Sequence, residues 1–132
     1  MLVTYKNSNE VYPVVAIAMD HTDNITDVYF SGFYSAHSQY REDISLVNIV
    51  DNSLPAYWTI GHDKARDTYY LTFPEWTSDL GEPGRPGFYE RYLEGEPEEI
   101  EIMRKYYNIE LYKAQEWVEN HPEAKLVIEQ EN

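Results

Sequence analysis

EGEPEEIEIMRKYYNIELYKAQEWVENHP, residues 94–122, is the stretch on which the fold class turns. Gly95 closes whatever precedes it, and Pro97 stands where a helix tolerates proline best, at its first position, where no amide hydrogen is needed. Ile100, Met103, Tyr107, Leu111, Ala114 and Val118 then recur at intervals of three and four, while Glu101, Lys105, Glu116 and Glu119 lie elsewhere on the circumference. That period predicts a helix from Pro97 to about residue 120, stopped by His121 and Pro122, with one apolar face centred on Leu111. Ile102, Tyr106, Ile109 and Trp117 widen the stripe, so the helix is either covered on two sides or offers aromatic surface to a partner.

Working towards the N-terminus, FYERYLEG (88–95) reads as a short helix ended by Gly95, over about residues 86–94. WTSDLGEPGRPG (76–87) holds three of the six Gly and two of the seven Pro and reads as an irregular loop. Before it the pattern changes to short β-branched and aromatic runs between turn residues: Leu2 to Tyr5, Pro13 to Met19, Thr26 to Tyr34, Ile44 to Val50, Ala56 to Gly61 and Thr68 to Phe73. The polar connectors His21 to Asn24 and His62 to Asp67 suit hairpins. The expected fold is α+β: residues 1–75 form an antiparallel sheet, and the two helices within 88–120 pack on one of its faces. The tail, 121–132, carries Leu126, Val127 and Ile128, which suit a final strand or docking beside the helix. At 132 residues without a repeat or linker, one domain is expected.

The composition narrows the function. Ten Lys and Arg face 24 Asp and Glu, a formal charge of -14, which repels nucleic acid and anionic membranes at long range. Residues 1–75 carry ten acids against four bases and residues 76–132 fourteen against six, so the excess spans both halves. The absence of Cys excludes disulfides, a Cys nucleophile and thiolate metal sites. No apolar run approaches the ~20 residues that a bilayer requires, and the N-terminus does not read as a secretory signal, so a cytoplasmic protein is expected.

Candidate sites follow from residue type. His62 beside Asp63, with Arg66 and Asp67 close behind, is the most enzyme-like feature, since a His among carboxylates can act as a base in a hydrolase. The other His residues add no ligand spacing, and a polar hairpin turn explains the group better, so no catalytic residue, metal or cofactor is assigned. Glu94, Glu96, Glu98, Glu99 and Glu101 can imitate a row of phosphates, or they can simply complement the dipole at the start of the long helix. Thirteen Tyr and three Trp supply rigid contact area. In the strand from Thr26 to Tyr34, Val28, Phe30 and Tyr34 share one face and Tyr29 and Phe33 the other. With helices on one face only, the second aromatic face is left for a partner, a ligand or another copy of the chain.

Three functions are compatible with this. The first is a noncatalytic acidic binding protein, such as an inhibitor of a basic enzyme or toxin of the immunity or anti-defence type, with Glu98, Glu99, Glu101, Tyr29 and Phe33 facing the partner. The second is a nucleotide or small-ligand module or sponge, in which Trp58, Tyr70 or Trp76 stacks on a base while Lys64, Arg66 or Arg85 meets a phosphate. Against a charge of -14, those cations must converge in one pocket. The third is a hydrolase around His62.

Overall fold

The computed structural model describes residues 1–31 and 40–129. The fold is α+β, with antiparallel sheets in the N-terminal two thirds and a long C-terminal helix packed against them. Strands β1 (Leu2–Tyr5), β2 (Glu10–Pro13), β3 (Ala16–Asp20), β4 (Ile25–Ser31), β5 (Tyr40–Asp43), β6 (Val47–Asp51), β7 (Thr59–Asp63) and β8 (Thr68–Thr72) precede helices α1 (Pro74–Thr77), α2 (Phe88–Leu93) and α3 (Pro97–Glu119). A two-residue strand, β9 (Lys125–Leu126), follows.

The expected single sheet is two. One has the order β6-β1-β2-β9 and the other β5-β4-β3-β8-β7. The apolar run from Pro13 to Met19 is the corner between them: the Val14 amide donates to Met1 O in the small sheet at 3.1 Å, and the Val15 amide donates to Tyr29 O in the large one at 2.9 Å. The run from Ile44 to Val50 is also divided. The Asp43 carboxylate accepts from the Ser45 amide at 2.9 Å and caps a 3-10 turn over Ile44–Leu46 before β6 begins. Tyr40–Asp43, charged and without apolar alternation, still pairs with β4 as an edge strand. The tail strand pairs β2 in parallel, Val11 opposite Leu126.

Both faces of the large sheet are covered by the chain itself. Ile17, Val28 and Phe30 pack with Val3 and Val47 of the small sheet, so the second aromatic face expected to await a partner is largely occupied. On the other face Ala16, Ala18 and Tyr29 meet Phe73, Trp76, Phe88, Tyr92, Met103, Tyr106 and Tyr107. Helix α3 buries one stripe against both sheets: further along the same face, Ala114 packs with Leu2 and Val11 of the small sheet. The centre of its buried stripe is Met103, Tyr106 and Tyr107, whereas Leu111 is half-buried, a shift from the expected centre.

A turn of helix, α1, opens the stretch expected to be loop from Trp76, and the loop proper is held tightly. Gly81 has φ +82, and a Cβ on Gly87 would lie 2.5 Å from the Leu80 carbonyl carbon. Arg91 on α2 completes the clamp, donating to Asp79 at 2.7 Å, to Pro86 O at 2.8 Å and to Glu99 at 3.3 Å. This fixes α2 over one end of the large sheet.

Candidate functional site

Where α2 stops short of the end of the large sheet, a cleft of about 470 Å³ remains. Its floor follows from register. Ala18 lies opposite Asp27 on one side and Tyr70 on the other, and Asp20 lies opposite Thr68. Directly opposed residues share a face, so a single small methyl is surrounded by long polar and aromatic side chains, and a depression results. Tyr89, Glu90 and Leu93 of α2 form one wall. Arg41 enters from β5, opposite Tyr29, and Arg66 from the turn before β8, with β4 and β3 between them.

The polar groups are held unequally. Arg41 Nη1 donates to the Tyr29 hydroxyl at 3.2 Å. Asp20 Oδ1 accepts from the Thr22 and Asp23 amides at 2.8 and 3.2 Å, which commits that oxygen to the β3–β4 turn. Arg66 lies 3.5 Å from Asp63 and 3.6 Å from Glu90, longer than the 2.7–2.9 Å of a close charged hydrogen bond, and its side chain is 61% exposed. Asp27 and the Tyr70 hydroxyl line the cleft and have no hydrogen bond to another described residue.

Burial sets the electrostatics. It pushes the Asp27 carboxyl above its ordinary range, against the pull of the Arg41 charge. Burial, with Tyr29 next, pushes the Tyr70 hydroxyl up to about 12, and burial raises Tyr29 and Tyr89 as well. The phenols are therefore neutral donors at physiological pH. The charges of both Arg41 and Arg66 reach the Tyr29 and Tyr70 phenols. Beneath them Trp76 stacks on Tyr89 at 4.8 Å and 13°, and lies 5.9 Å from Tyr70 and 5.4 Å from Tyr29.

Of the expected ligand-binding residues, the structure brings Tyr70 and Arg66 together here. Trp76 is 1% exposed and supports the tyrosines from below, so it cannot itself stack on a ligand. Trp58 packs against the core between the sheets, Lys64 is exposed in the β7–β8 turn, and Arg85 pairs with Asp79 and Glu82 outside this cleft. Arg41, Asp27 and Tyr89 were not among the expected residues. Strand alternation from Tyr29 across a β4–β5 hairpin is the one sequence signal that leads to Arg41.

The expected partner-facing residues are dispersed. Tyr29 is 2% exposed, packed against Trp76 and Tyr89 at the cleft, and so offers little surface to a protein partner. Phe33 lies outside the described residues. Glu98 and Glu101 are exposed on the first turns of α3, but Glu99 is half-buried against Arg91. His62 bonds Asp67 at 2.9 Å and stacks on Tyr69 at 4.3 Å, with Asp63 occupied by the Ala65 and Arg66 amides. None of His62, Asp67 and Tyr69 lines the cleft. Among the described residues, no group of three or more His, Asp or Glu is placed to hold a metal ion, and no helix is long and apolar enough to cross a membrane.

Comparisons with protein-family models, with curated proteins and with solved structures find no match for this chain.

Proposed function

We propose that this chain is a noncatalytic binding protein whose working part is the cleft between the large sheet and α2, where it captures a small ligand bearing an anionic group and a flat ring. The observation that carries the reading is that Arg41 and Arg66 line one concavity with Tyr70 and Tyr89. The volume falls within the ~300–1,000 Å³ usual for ligand sites, and Arg41 and Arg66 supply two cations against the Asp20, Asp27 and Glu90 carboxylates of the same lining. Among the described residues that line the cleft there is no Ser, Cys, His or Lys, and we read its chemistry as binding. The test is to purify the protein from its native host, release bound small molecules by heat and weigh them by mass spectrometry. About one equivalent of one compound is expected, with little from Arg41→Gln or Arg66→Gln. Equal recovery from the variants, or none from any form, overturns the reading.

A second reading, an acidic protein that blocks a basic partner, has its own support. Arg66, Arg85, Arg91 and Lys113 each face a carboxylate within the chain, while Glu94, Glu96, Glu98 and Glu101 stand exposed around the α2–α3 turn. Surface plasmon resonance against a captured basic partner tests it through the dependence of the association rate on salt.

A further inference from the structure

The lining of the cleft carries both signs of charge, and, resting on the binding reading above, we propose that it takes a ligand of both signs: a zwitterionic amino acid with an aromatic side chain. The β4–β5 end holds the recognition pair. Arg41 stands opposite Tyr29, and Asp27 lies two residues along β4 from Tyr29 on the same face, so the two are diagonal neighbours about 7–8 Å apart at the backbone. Among the described residues Arg41 has one hydrogen bond, to the neutral Tyr29 hydroxyl at 3.2 Å, Asp27 has none, and no ion pair joins the two. The ammonium and carboxylate of an amino acid leave the same carbon, a spacing that lets one head group bridge this gap. The ammonium donates to Asp27, and the carboxylate accepts from Arg41.

Charge decides the class. A neutral N–H and carbonyl on one ring edge can fill the same two positions, but they bring dipoles where a zwitterion brings two full charges, each opposite to the group it meets in a half-buried cleft. The lining sets Arg41 and Arg66 against Asp20, Asp27 and Glu90, within a chain of −14, so a phosphate or a lone carboxylate is opposed while a zwitterion adds no net charge. An amine alone satisfies Asp27 and leaves Arg41 without a counter-charge. The middle of the cleft is aromatic, with Tyr70 and Tyr89 both braced on Trp76, so their rings are fixed before a ligand ring arrives. Arg66, 3.5 Å from Asp63 and 3.6 Å from Glu90, ties the β7–β8 turn to α2 and closes the far end, which makes it a positioning residue.

Isothermal titration on the full chain, freed of endogenous ligand by refolding, tests the assignment with four probes: phenylalanine, phenethylamine, which lacks the carboxylate, 3-phenylpropionate, which lacks the ammonium, and uracil, which offers a neutral donor and acceptor. Phenylalanine should bind at least tenfold more tightly than each of the others. Asp27→Asn should weaken phenylalanine by roughly tenfold to a hundredfold, the loss expected for a charged hydrogen bond, and should leave 3-phenylpropionate no weaker than before. Arg41→Gln should weaken phenylalanine to a similar extent and leave phenethylamine unchanged. Arg66→Gln should weaken all three phenyl compounds together, because it loosens the wall and meets neither charge of the ligand. A merely structural role for Asp27 or Arg41 would also lower all three together, and that result overturns the assignment. Phenethylamine, 3-phenylpropionate or uracil binding as tightly as phenylalanine overturns it as well, and so does failure of all four to bind. If the native protein then releases a compound other than an aromatic amino acid, the cleft reading stands, and if it releases nothing, both fall.

Discussion

The Tyr57 hydroxyl donates to the Glu110 carboxylate at 2.5 Å across 53 positions of sequence, joining the segment before β7 to the inner face of α3. Glu110 is 4% exposed, and its other contact, Lys113, lies at 3.3 Å. Burial and the neighbouring carboxylate both raise the Tyr57 hydroxyl, so it stays protonated and keeps donating. Tyr57→Phe should therefore cost about 1–3 kcal/mol in urea denaturation, since it removes the donor and leaves the charge buried. Combining it with Glu110→Leu should cost less than the sum of the two single changes, because the stranded charge goes too. Additive losses would show that the pair does not interact.

The Asp79 clamp makes an acid-dependent prediction. Burial opposes ionisation there, but the hydrogen bonds from Arg91 and Arg85 outweigh it and hold the carboxyl below its ordinary 3.8. A carboxyl that is lower in the folded chain stabilises fully above its unfolded value, and this stabilisation fades as pH falls through the folded value. Stability followed by denaturation from about pH 5 to about pH 2 should fall less steeply in Arg91→Met than in the native chain. Parallel acid limbs would remove Asp79 from the account.

The core predicts a graded response along α3. Met103 is fully buried and Leu111 only half-buried, so Met103→Ala should cost ~2–5 kcal/mol and Leu111→Ala distinctly less. An equal or larger loss at Leu111 would place the helix axis elsewhere.

That difference shows what the sequence makes legible. A period of three and four locates α3 and its apolar side, because the helix repeats itself at every turn, but Glu110 sits within the buried stripe through its bond to distant Tyr57, and periodicity cannot anticipate that. Strand runs are readable where β-branched and aromatic residues alternate, and β5, with Arg41, Glu42 and Asp43, lacks that signal. The division into two sheets at Val14 and Val15 is invisible because both sides of the corner are equally apolar. The cleft suffers from the same cause: Tyr70 and Arg66 stand out by residue type, while Arg41, Asp27 and Tyr89 join them only through register across β3, β4 and β8 and the placement of α2.

His62→Ala should leave ligand binding unchanged. The imidazole is paired with Asp67 and stacked on Tyr69 outside the cleft, so its loss removes local packing and no contact to a captured molecule. A loss of binding by a variant that retains the native circular dichroism spectrum would restore a functional role for the histidine.

The acidic turn at the start of α3 separates charge that serves the fold from charge that is free to meet a partner. Glu99 is half-buried and 3.3 Å from Arg91, which also holds Asp79, so Glu99→Gln should lower stability by about 0.5–1.5 kcal/mol. Glu98 and Glu101 are exposed, and replacing both by Gln should change stability by no more than about 0.5 kcal/mol. If this surface steers a basic partner, the same double change should slow association at low salt, and at high salt the difference should vanish, because screening shortens the reach of the field while the contact itself is unaltered. Stopped-flow association at two ionic strengths reads both effects. A double variant that associates as fast as the native chain at low salt would leave these two carboxylates with only the helix dipole to serve.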